Sequence, residues 1–412
     1  YETPDDGGTR GLSELLIIEE LMNRIKYITN ASVSPKPCEY FDMIGGVGTG
    51  GLIALMLGRL KMPIDQAIKE YVTLCSRVFS DKKWQSRNEK FKASVFEASM
   101  EAMIKSSGLS PDALLQDDGS ESCKNFVVAL PAPHMTPRLF HSYTVGANQS
   151  YNCTIVTAAR ATTANPGFFK PVVITDGVIS ESFIGGNFGY NNPSRSVLEE
   201  AESVFGHSAP VACLVSIGAG KLDPPSLQKS DMKHMLDILS QIAADSEKVA
   251  EELENQYIHV PDVFFRLNVE QGLQKCALDD WKKLSEIKTH TLSYLLQPTI
   301  RKKFHNIVQA LHNCPYKISV RNLKGPLLPG NHIDASMQDI YQIPAATQVF
   351  RGRKDILERL NRYFATDSIS KVQKRYVLYG LGGAGKTQIV LQFVALYGSR
   401  WVKFKSLMLS CH

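Results

Sequence analysis

Apolar positions at Leu12, Leu15, Leu16, Ile18, Leu21, Met22 and Ile25 recur every three or four residues, which predicts a helix through "GLSELLIIEELMNRI". A short apolar run, "YFDMIGG", predicts a buried strand, and Leu52 to Leu60 predicts a second helix. "NFVVAL", "LFHSYTV" and "VACLVSIGAG" are predicted strands, rich in β-branched and aromatic residues and flanked by proline or glycine. An acidic stretch near residues 230–256 has the pattern of an exposed two-faced helix. Strands alternating with helices predict an α/β layered fold with a central sheet of mixed strand directions.

The pattern breaks at residues 325–347, "GPLLPGNHIDASMQDIYQIPAAT", where three prolines and two glycines suit a linker better than a helix or a central strand. Beyond it "VFRGRKDILERLNRYF" predicts a charged helix, and "KRYVLYGLGGAGKTQIVLQFVALYG" reads as strand, glycine loop and helix. The expected organisation is therefore a large domain at 1–324, a linker at 325–347 and a short α/β segment at 348–412. No internal repeat or low-complexity tract interrupts it.

Composition adds limits rather than a function. The 412 residues are 43% hydrophobic and 21% charged, as in folded soluble chains, and a net charge of +5 does not call for a nucleic-acid partner. Eight cysteines, without a C-x-x-C pair, suit free thiols in a reducing compartment better than a disulfide framework. No apolar run approaches the ~18 residues of a membrane span. "YETPDDGG" has neither an initiating Met nor a signal-peptide pattern, so a cytoplasmic chain that starts inside a longer protein is expected. In that setting the sequons at Asn30, Asn148 and Asn152 are chance occurrences.

Three glycine turns carry the candidate chemistry. "DDGGTRG", Asp5 to Gly11, precedes the first helix, where the amides of Gly7, Gly8, Thr9 and Arg10 could converge on a developing anion. "GGVGTGG", Gly45 to Gly51, lies between strand and helix, as a G-x-S-x-G nucleophile elbow does, but places Gly48 at the central position. "SFIGGNFGYNNPS", Ser182 to Ser194, runs from an apolar stub into glycines and then Asn191, Asn192 and Pro193. "AARATTANPGFFKP" lies between the second and third.

In order and spacing, these elements resemble the patatin-like phospholipases over roughly residues 1 to 320. That family carries a D-G-G-G-x-R-G oxyanion turn, a G-x-S-x-G elbow, an A-x-R-A-T-S-A-A-P-x-F-F segment and a D-G-G or D-G-A loop leading to N-N-P. The resemblance implies a three-layer patatin-like sandwich and a Ser/Asp dyad that cleaves lipid acyl esters. It also implies a lipid or acyl ester ligand, peripheral membrane contact and no cofactor for this domain. Protein partners are not readable.

The departures fall on the chemistry. Gly48 stands at the serine position and Gly185 at the aspartate position, while Asp6 replaces the first glycine of the oxyanion turn. Loss of a nucleophile unit costs about 10⁶ in rate in the best-studied hydrolase, so a degenerate enzyme is expected. The alternative is an active phospholipase or esterase using other residues. Thr49 is the neighbouring hydroxyl, but an elbow presents its central side chain to the site. Asp176 in "ITDGV" sits too far from N-N-P for the family spacing and suits a strand-end turn, and His134 and His141 have no nucleophile beside them in sequence.

"GLGGAGKT" satisfies the phosphate-loop pattern between a strand and a helix. Gly380, Gly382, Gly383, Gly385 and Lys386 would cradle the phosphates of ATP or ADP, with Thr387 on magnesium. Phe350, Gly352 and Arg353 resemble the F-x-G-R lead-in of NB-ARC (STAND) NTPases, in which the arginine helps hold the nucleotide. Such modules are fused to patatin-like domains in fungal NLR-like proteins. Only 25 residues follow Thr387, which predicts a truncated P-loop segment, with any nucleotide switch belonging to a longer parent protein.

Overall fold

The structure is a computed structural model that describes residues 1–83, 89–117, 123–134, 136–144, 152–176, 178–221, 245–313, 318–320, 323, 353–365, 388–389 and 392–393. The chain divides into two compact units, Tyr1–Pro329 and Gly330–His412. The 325–347 stretch, the 230–244 part of the expected acidic helix and the phosphate loop Gly380–Thr387 lie outside the described residues.

In the first unit, β1 (Glu2–Pro4) leads through the glycine turn into α1 (Gly11–Thr29), and β2 (Met43–Val47) into α2 (Gly48–Ala54). Next come α3 (Ile64–Ser80), α4 (Ala93–Ser106), β3 (Lys124–Pro131), β4 (Arg138–His141) and α5 (Ile155–Thr163). The hairpin β5 (Val172–Asp176) and β6 (Ile179–Gly185) precedes α6 (Ser194–Phe205), β7 (Pro210–Val211) and β8 (Leu214–Ile217). The unit closes with α7 (Glu247–Gln256), β9 (Phe264–Leu267), α8 (Leu284–Leu295), α9 (Pro298–Asn313) and β10 (Ile318–Ser319).

Eight strands form one mixed sheet in the order β5-β6-β3-β2-β1-β8-β9, with β4 also on β3. The centre is parallel: β1 pairs with β2 and β8, β2 with β3, and β8 with β9. Antiparallel pairing is confined to the β3–β4, β3–β6 and β5–β6 contacts. The predicted strand "VACLVSIGAG" is two: Val211 pairs with Ile318 in a separate ribbon, and only Leu214–Ile217 joins the main sheet.

Alternation along the strands builds the layers. Ile44, Val127, Ala129, Val215 and Ile217 join one apolar cluster with α1, α3 and α4, and Met43, Val47, Phe126, Val128 and Leu214 join another with Val197 of α6 and Leu253 of α7. Because side chains of adjacent strand residues point to opposite faces, these two clusters are the two sides of the sheet, and the architecture is helix–sheet–helix. Among the described residues, Cys38, Cys75, Cys123, Cys153, Cys213 and Cys276 are free thiols, and no helix is long and apolar enough to cross a membrane.

In the second unit, α10 (Lys354–Ala365) packs Leu357 and Leu360 with Ile389 and Phe393. Arg353 is exposed in the left-handed region (φ +58°), and its carbonyl accepts from the amides of Ile356 and Leu357.

Candidate active site

The loops after β1 and β2 leave the carboxyl ends of adjacent parallel strands, where α/β sheets gather their ligands. Register then fixes the third element. Val47 sits opposite Val128 of β3, and Ala129, the next residue of β3, pairs with Gly185 of β6. One strand therefore separates the elbow from the position where the family's base belongs.

The elbow has the expected geometry without its nucleophile. Gly48 holds φ at +55°, the left-handed conformation in which an elbow displays its central side chain. Its amide donates to Thr162 Oγ1 at 2.9 Å, and that hydroxyl donates to the Val128 carbonyl at 2.7 Å. A Cβ at Gly50 would overlap the carbonyl oxygens of Asp5 and Pro4, so the elbow can lie against the oxyanion turn only with glycine there.

The space that a serine side chain would fill at position 48 belongs to Asp6. A Cβ on Gly48 would overlap Asp6 Cγ and Oδ1 and lie 2.7 Å from its Cβ. The Asp6 carboxylate is held by three donors: Thr49 N at 2.9 Å and Thr49 Oγ1 at 3.0 Å reach Oδ1, and Asn165 Nδ2 reaches Oδ2 at 2.7 Å. The space at position 185 is filled in the same way. A Cβ on Gly185 would overlap Asn165 Oδ1 and lie 3.0 Å from its Cγ.

Asn165 is a residue that motif reading passes over. In "ATTANPGFF" it stands where the A-T-S-A-A-P pattern has alanine. The signal was a single larger residue in an otherwise matching segment, and it gains meaning only beside Gly185. Two exchanges of volume thus face each other: glycine to aspartate at position 6 against serine to glycine at 48, and alanine to asparagine at 165 against aspartate to glycine at 185.

Of the four amides expected to form an oxyanion hole, at Gly7, Gly8, Thr9 and Arg10, three have partners inside the protein and Gly8 lines the pocket. The turn is present, but the Gly7 amide donates to Thr49 Oγ1 at 3.0 Å, the Thr9 amide to the Leu278 carbonyl at 2.8 Å, and the Arg10 amide to the Gly7 carbonyl at 3.1 Å. Across the elbow, the Thr49 amide is held by Asp6. The Asp6 carboxylate therefore takes the Thr49 donors of the elbow rather than the amides of the turn. Thr49 is more involved than expected from its position, since its hydroxyl is bracketed between the Gly7 amide and Asp6.

Buried charge fixes the turn beneath. Arg266 reaches Asp5 Oδ2 at 2.6 Å, Ser216 Oγ at 2.9 Å and Glu247 Oε1 through Nε at 3.0 Å. Burial pushes the Asp5 carboxyl up to about 6 although the Arg266 charge opposes the shift. Glu14, which accepts from the Asp5 amide at 3.0 Å, is lifted well above the usual carboxylate range by the same burial and by the Asp5 charge. Burial lowers Arg10, against the charge of Asp6. Asn192 Oδ1 receives both the amide (3.0 Å) and hydroxyl (2.6 Å) of Ser194, which starts α6.

A largely apolar pocket opens on this cluster. It holds about 430 Å³ of empty space, part of it open to solvent, and Asp6, Thr49 and Asn165 meet walls that include Leu74, Val78, Phe96 and Phe169. Arg160 braces two of those rings, its guanidinium lying 5.2 Å from the Phe169 centroid and 5.7 Å from that of Phe96. The other candidates lie elsewhere. His141 is buried with Nε2 3.0 Å from Glu200, His134 is exposed, and Asp176 closes β5 opposite Ile179.

Comparison with known proteins agrees with the motifs. Residues 7–198 match the model of the patatin-like phospholipase family. Over that stretch the chain is similar to a patatin-like phospholipase domain. It is 25% identical over 308 residues to human calcium-independent phospholipase A2-gamma, covering 71% of this chain and 37% of that protein. It is 24% identical over 351 residues to Arabidopsis thaliana phospholipase A I, covering 68% of this chain and 26% of that protein. Arabidopsis patatin-like protein 2 is 25% identical over 218 residues, or 48% of this chain and 51% of that protein. The chain thus spans little more than a third of the phospholipase A2-gamma relative.

Proposed function

We propose that the patatin-like domain retains the acyl-chain pocket of a lipid hydrolase and binds single-chain lipid without cleaving esters. The observation that carries this reading is the occupation of both dyad positions by neighbours, Asp6 against Gly48 and Asn165 against Gly185. Ester cleavage needs a nucleophile, a base for its proton and free donors aimed at the developing oxyanion. Glycine supplies neither of the first two. The amides of Gly7 and Thr49 are already engaged, and a carboxylate beside them opposes the charge of the transition state.

Thr49 with Asp6 is the alternative dyad, and its 3.0 Å hydrogen bond favours it locally. Against it, the Gly7 amide that should receive the oxyanion is spent on the Thr49 hydroxyl itself. The lipid class comes from similarity to the phospholipases, and the apolar pocket suits a chain.

The test uses p-nitrophenyl butyrate and phosphatidylcholine vesicles. Unmodified protein should stay at the buffer rate with both. The fourfold variant Asp6→Gly, Gly48→Ser, Asn165→Ala, Gly185→Asp, which reverses both exchanges, should gain measurable turnover. Turnover by the unmodified chain that Thr49→Val abolishes would overturn the proposal.

A second reading, nucleotide binding by Gly380–Thr387 with Arg353 nearby in sequence, rests on the loop motif alone. The entire chain should bind ADP with magnesium in calorimetry and lose that heat in Lys386→Ala. No heat with either protein refutes a nucleotide role, and with it an NLR-like switch.

A further inference from the structure

We infer that the pocket selects a long-chain primary amine, an alkylammonium head on a single apolar chain, over fatty acids and esters. This rests on the reading of the site as a non-hydrolytic chain-binding pocket. The inference follows from the polarity of the pocket floor. A patatin-like site is built to receive a carbonyl oxygen, so its floor should present donors. Here the Gly7 amide is turned to Thr49 Oγ1 and the Thr49 amide to Asp6 Oδ1, at 3.0 and 2.9 Å. The floor presents a carboxylate in their place. Its polarity is inverted.

Three further observations point to a cation. Asp6 is 8% exposed, and among the described residues no lysine, arginine or histidine makes an ion pair with it. Arg10 senses its charge but directs Nε to the Gly7 carbonyl at 3.4 Å. Buried carboxylates are ordinarily paired, because burying a charge without a counter-charge is costly. Second, acceptor capacity remains. Oδ1 takes both Thr49 donors, whereas Oδ2 takes only Asn165 Nδ2 at 2.7 Å, and a carboxylate oxygen can accept two. Asn165, on the same pocket wall, also keeps a buried Oδ1 without a hydrogen-bond partner. Third, Phe96, Phe168 and Phe169 put aromatic rings on the walls of the same pocket, a surface that attracts alkyl chains and ammonium groups alike.

An ammonium brings three donors and one positive charge, which answers Asp6 Oδ2 directly. A decanoate would bring a second carboxylate against Asp6 and find the Gly7 and Thr49 donors occupied. An ester carbonyl would find no free donor at Gly7 or Thr49. An alcohol offers one donor without the charge and should fall between.

The experiment is calorimetry on the entire chain at pH 7 with decylamine, decanol and decanoate, repeated on Asp6→Asn and on Val78→Trp, which fills the pocket from its wall. Decylamine should bind at least about tenfold more tightly than decanoate. Asp6→Asn should lower decylamine affinity by a similar factor while leaving decanol within about threefold, and Val78→Trp should weaken all of them. If decanol binds and Val78→Trp blocks it, yet decylamine and decanoate bind alike or decanoate binds better, the chain pocket stands and the amine preference is overturned. Decylamine binding that neither variant changes would place the amine on the outer surface and overturn it too. If none of the ligands binds, the chain-binding reading falls together with the inference.

Discussion

The exchange between positions 6 and 48 makes a quantitative prediction about stability that does not depend on finding a substrate. Gly48→Ser places a Cβ into Asp6 Cγ and Oδ1 and 2.7 Å from Asp6 Cβ. Rotating the carboxylate removes the first two overlaps but not the third, so backbone must shift. Overpacking of this kind costs about 1–3 kcal/mol, and a non-glycine residue in the left-handed region, where Gly48 has φ +55°, adds roughly 1–2 kcal/mol. Gly48→Ser alone should therefore destabilise by about 2–5 kcal/mol. Asp6→Gly alone frees Thr49 N, Thr49 Oγ1 and Asn165 Nδ2 in a buried site and should cost about 1–3 kcal/mol. Together the variants should not add. With Asp6 gone the serine enters the vacated space and its hydroxyl meets the Thr49 amide, while the conformational cost of the left-handed residue and the unmet Asn165 Nδ2 persist. Relief of the overpacking and of one orphaned donor should give a favourable coupling of about 2–4 kcal/mol in a double-mutant cycle from urea unfolding. Additive effects within about 0.5 kcal/mol would refute the claim that the two residues occupy one space.

Position 185 should behave in parallel: Gly185→Ala is expected to lower the urea midpoint through its overlap with Asn165 Oδ1, and Asn165→Ala should recover part of the loss, since the Thr162 carbonyl oxygen still lies 2.9 Å from that Cβ; a midpoint unchanged by Gly185→Ala counts against the overlap. Arg160 is 3% exposed, stacks on Phe169 and donates to Glu97 at 3.2 Å and the Lys170 carbonyl at 3.1 Å. Arg160→Lys loses the planar stack and one of the two donors, and should cost about 1–3 kcal/mol by thermal unfolding and weaken decanol binding; unchanged stability would show that the stack is incidental. Burial holds Asp5 up to about 6 and Glu14 well above the usual range, so both bind protons more tightly folded than unfolded. Their contribution is complete below about pH 4 and is lost as pH rises through 6 and beyond. The urea midpoint should fall over that window, and Glu14→Gln should flatten the fall; an unflattened profile would remove Glu14 from the explanation.

The sequence made the scaffold legible because each local signal was unambiguous. The spacing from Leu12 to Ile25 returned α1, the run ending in "DMIGG" returned β2, and glycine at 48 and 50 returned an elbow that needs a left-handed residue and a close backbone approach. The site was legible only as losses. Missing functional atoms at 48 and 185 can be read from a motif, whereas their replacements come from other segments, Asp6 from 42 residues earlier and Asn165 from 20 residues before Gly185. No periodicity or spacing connects positions that meet only through the β2–β3–β6 register. For the same reason the oxyanion turn was expected to be open: its sequence permits converging amides, and the Thr49 hydroxyl that closes it comes from the elbow.

The pairing of gains with losses bears on what kind of site this is. A pocket released from use and losing side chains at random should be left with voids, each costing stability. At positions 48 and 185 the lost volume is instead refilled from across the site, and the two incoming side chains bond to each other at 2.7 Å. The family pattern has a hydroxyl and a carboxylate at the positions of Gly48 and Gly185. Here the neighbouring pair is a carboxylate and an amide, Asp6 on the turn after β1 and Asn165 after α5, joined by a hydrogen bond of 2.7 Å. A refilled site of this kind keeps the fold stable and the apolar walls in place. On the proposed reading it gives up the Gly7 and Thr49 donors that an ester carbonyl would use, and that is why the amine comparison, rather than a search for residual hydrolysis, is the sharper test of this domain.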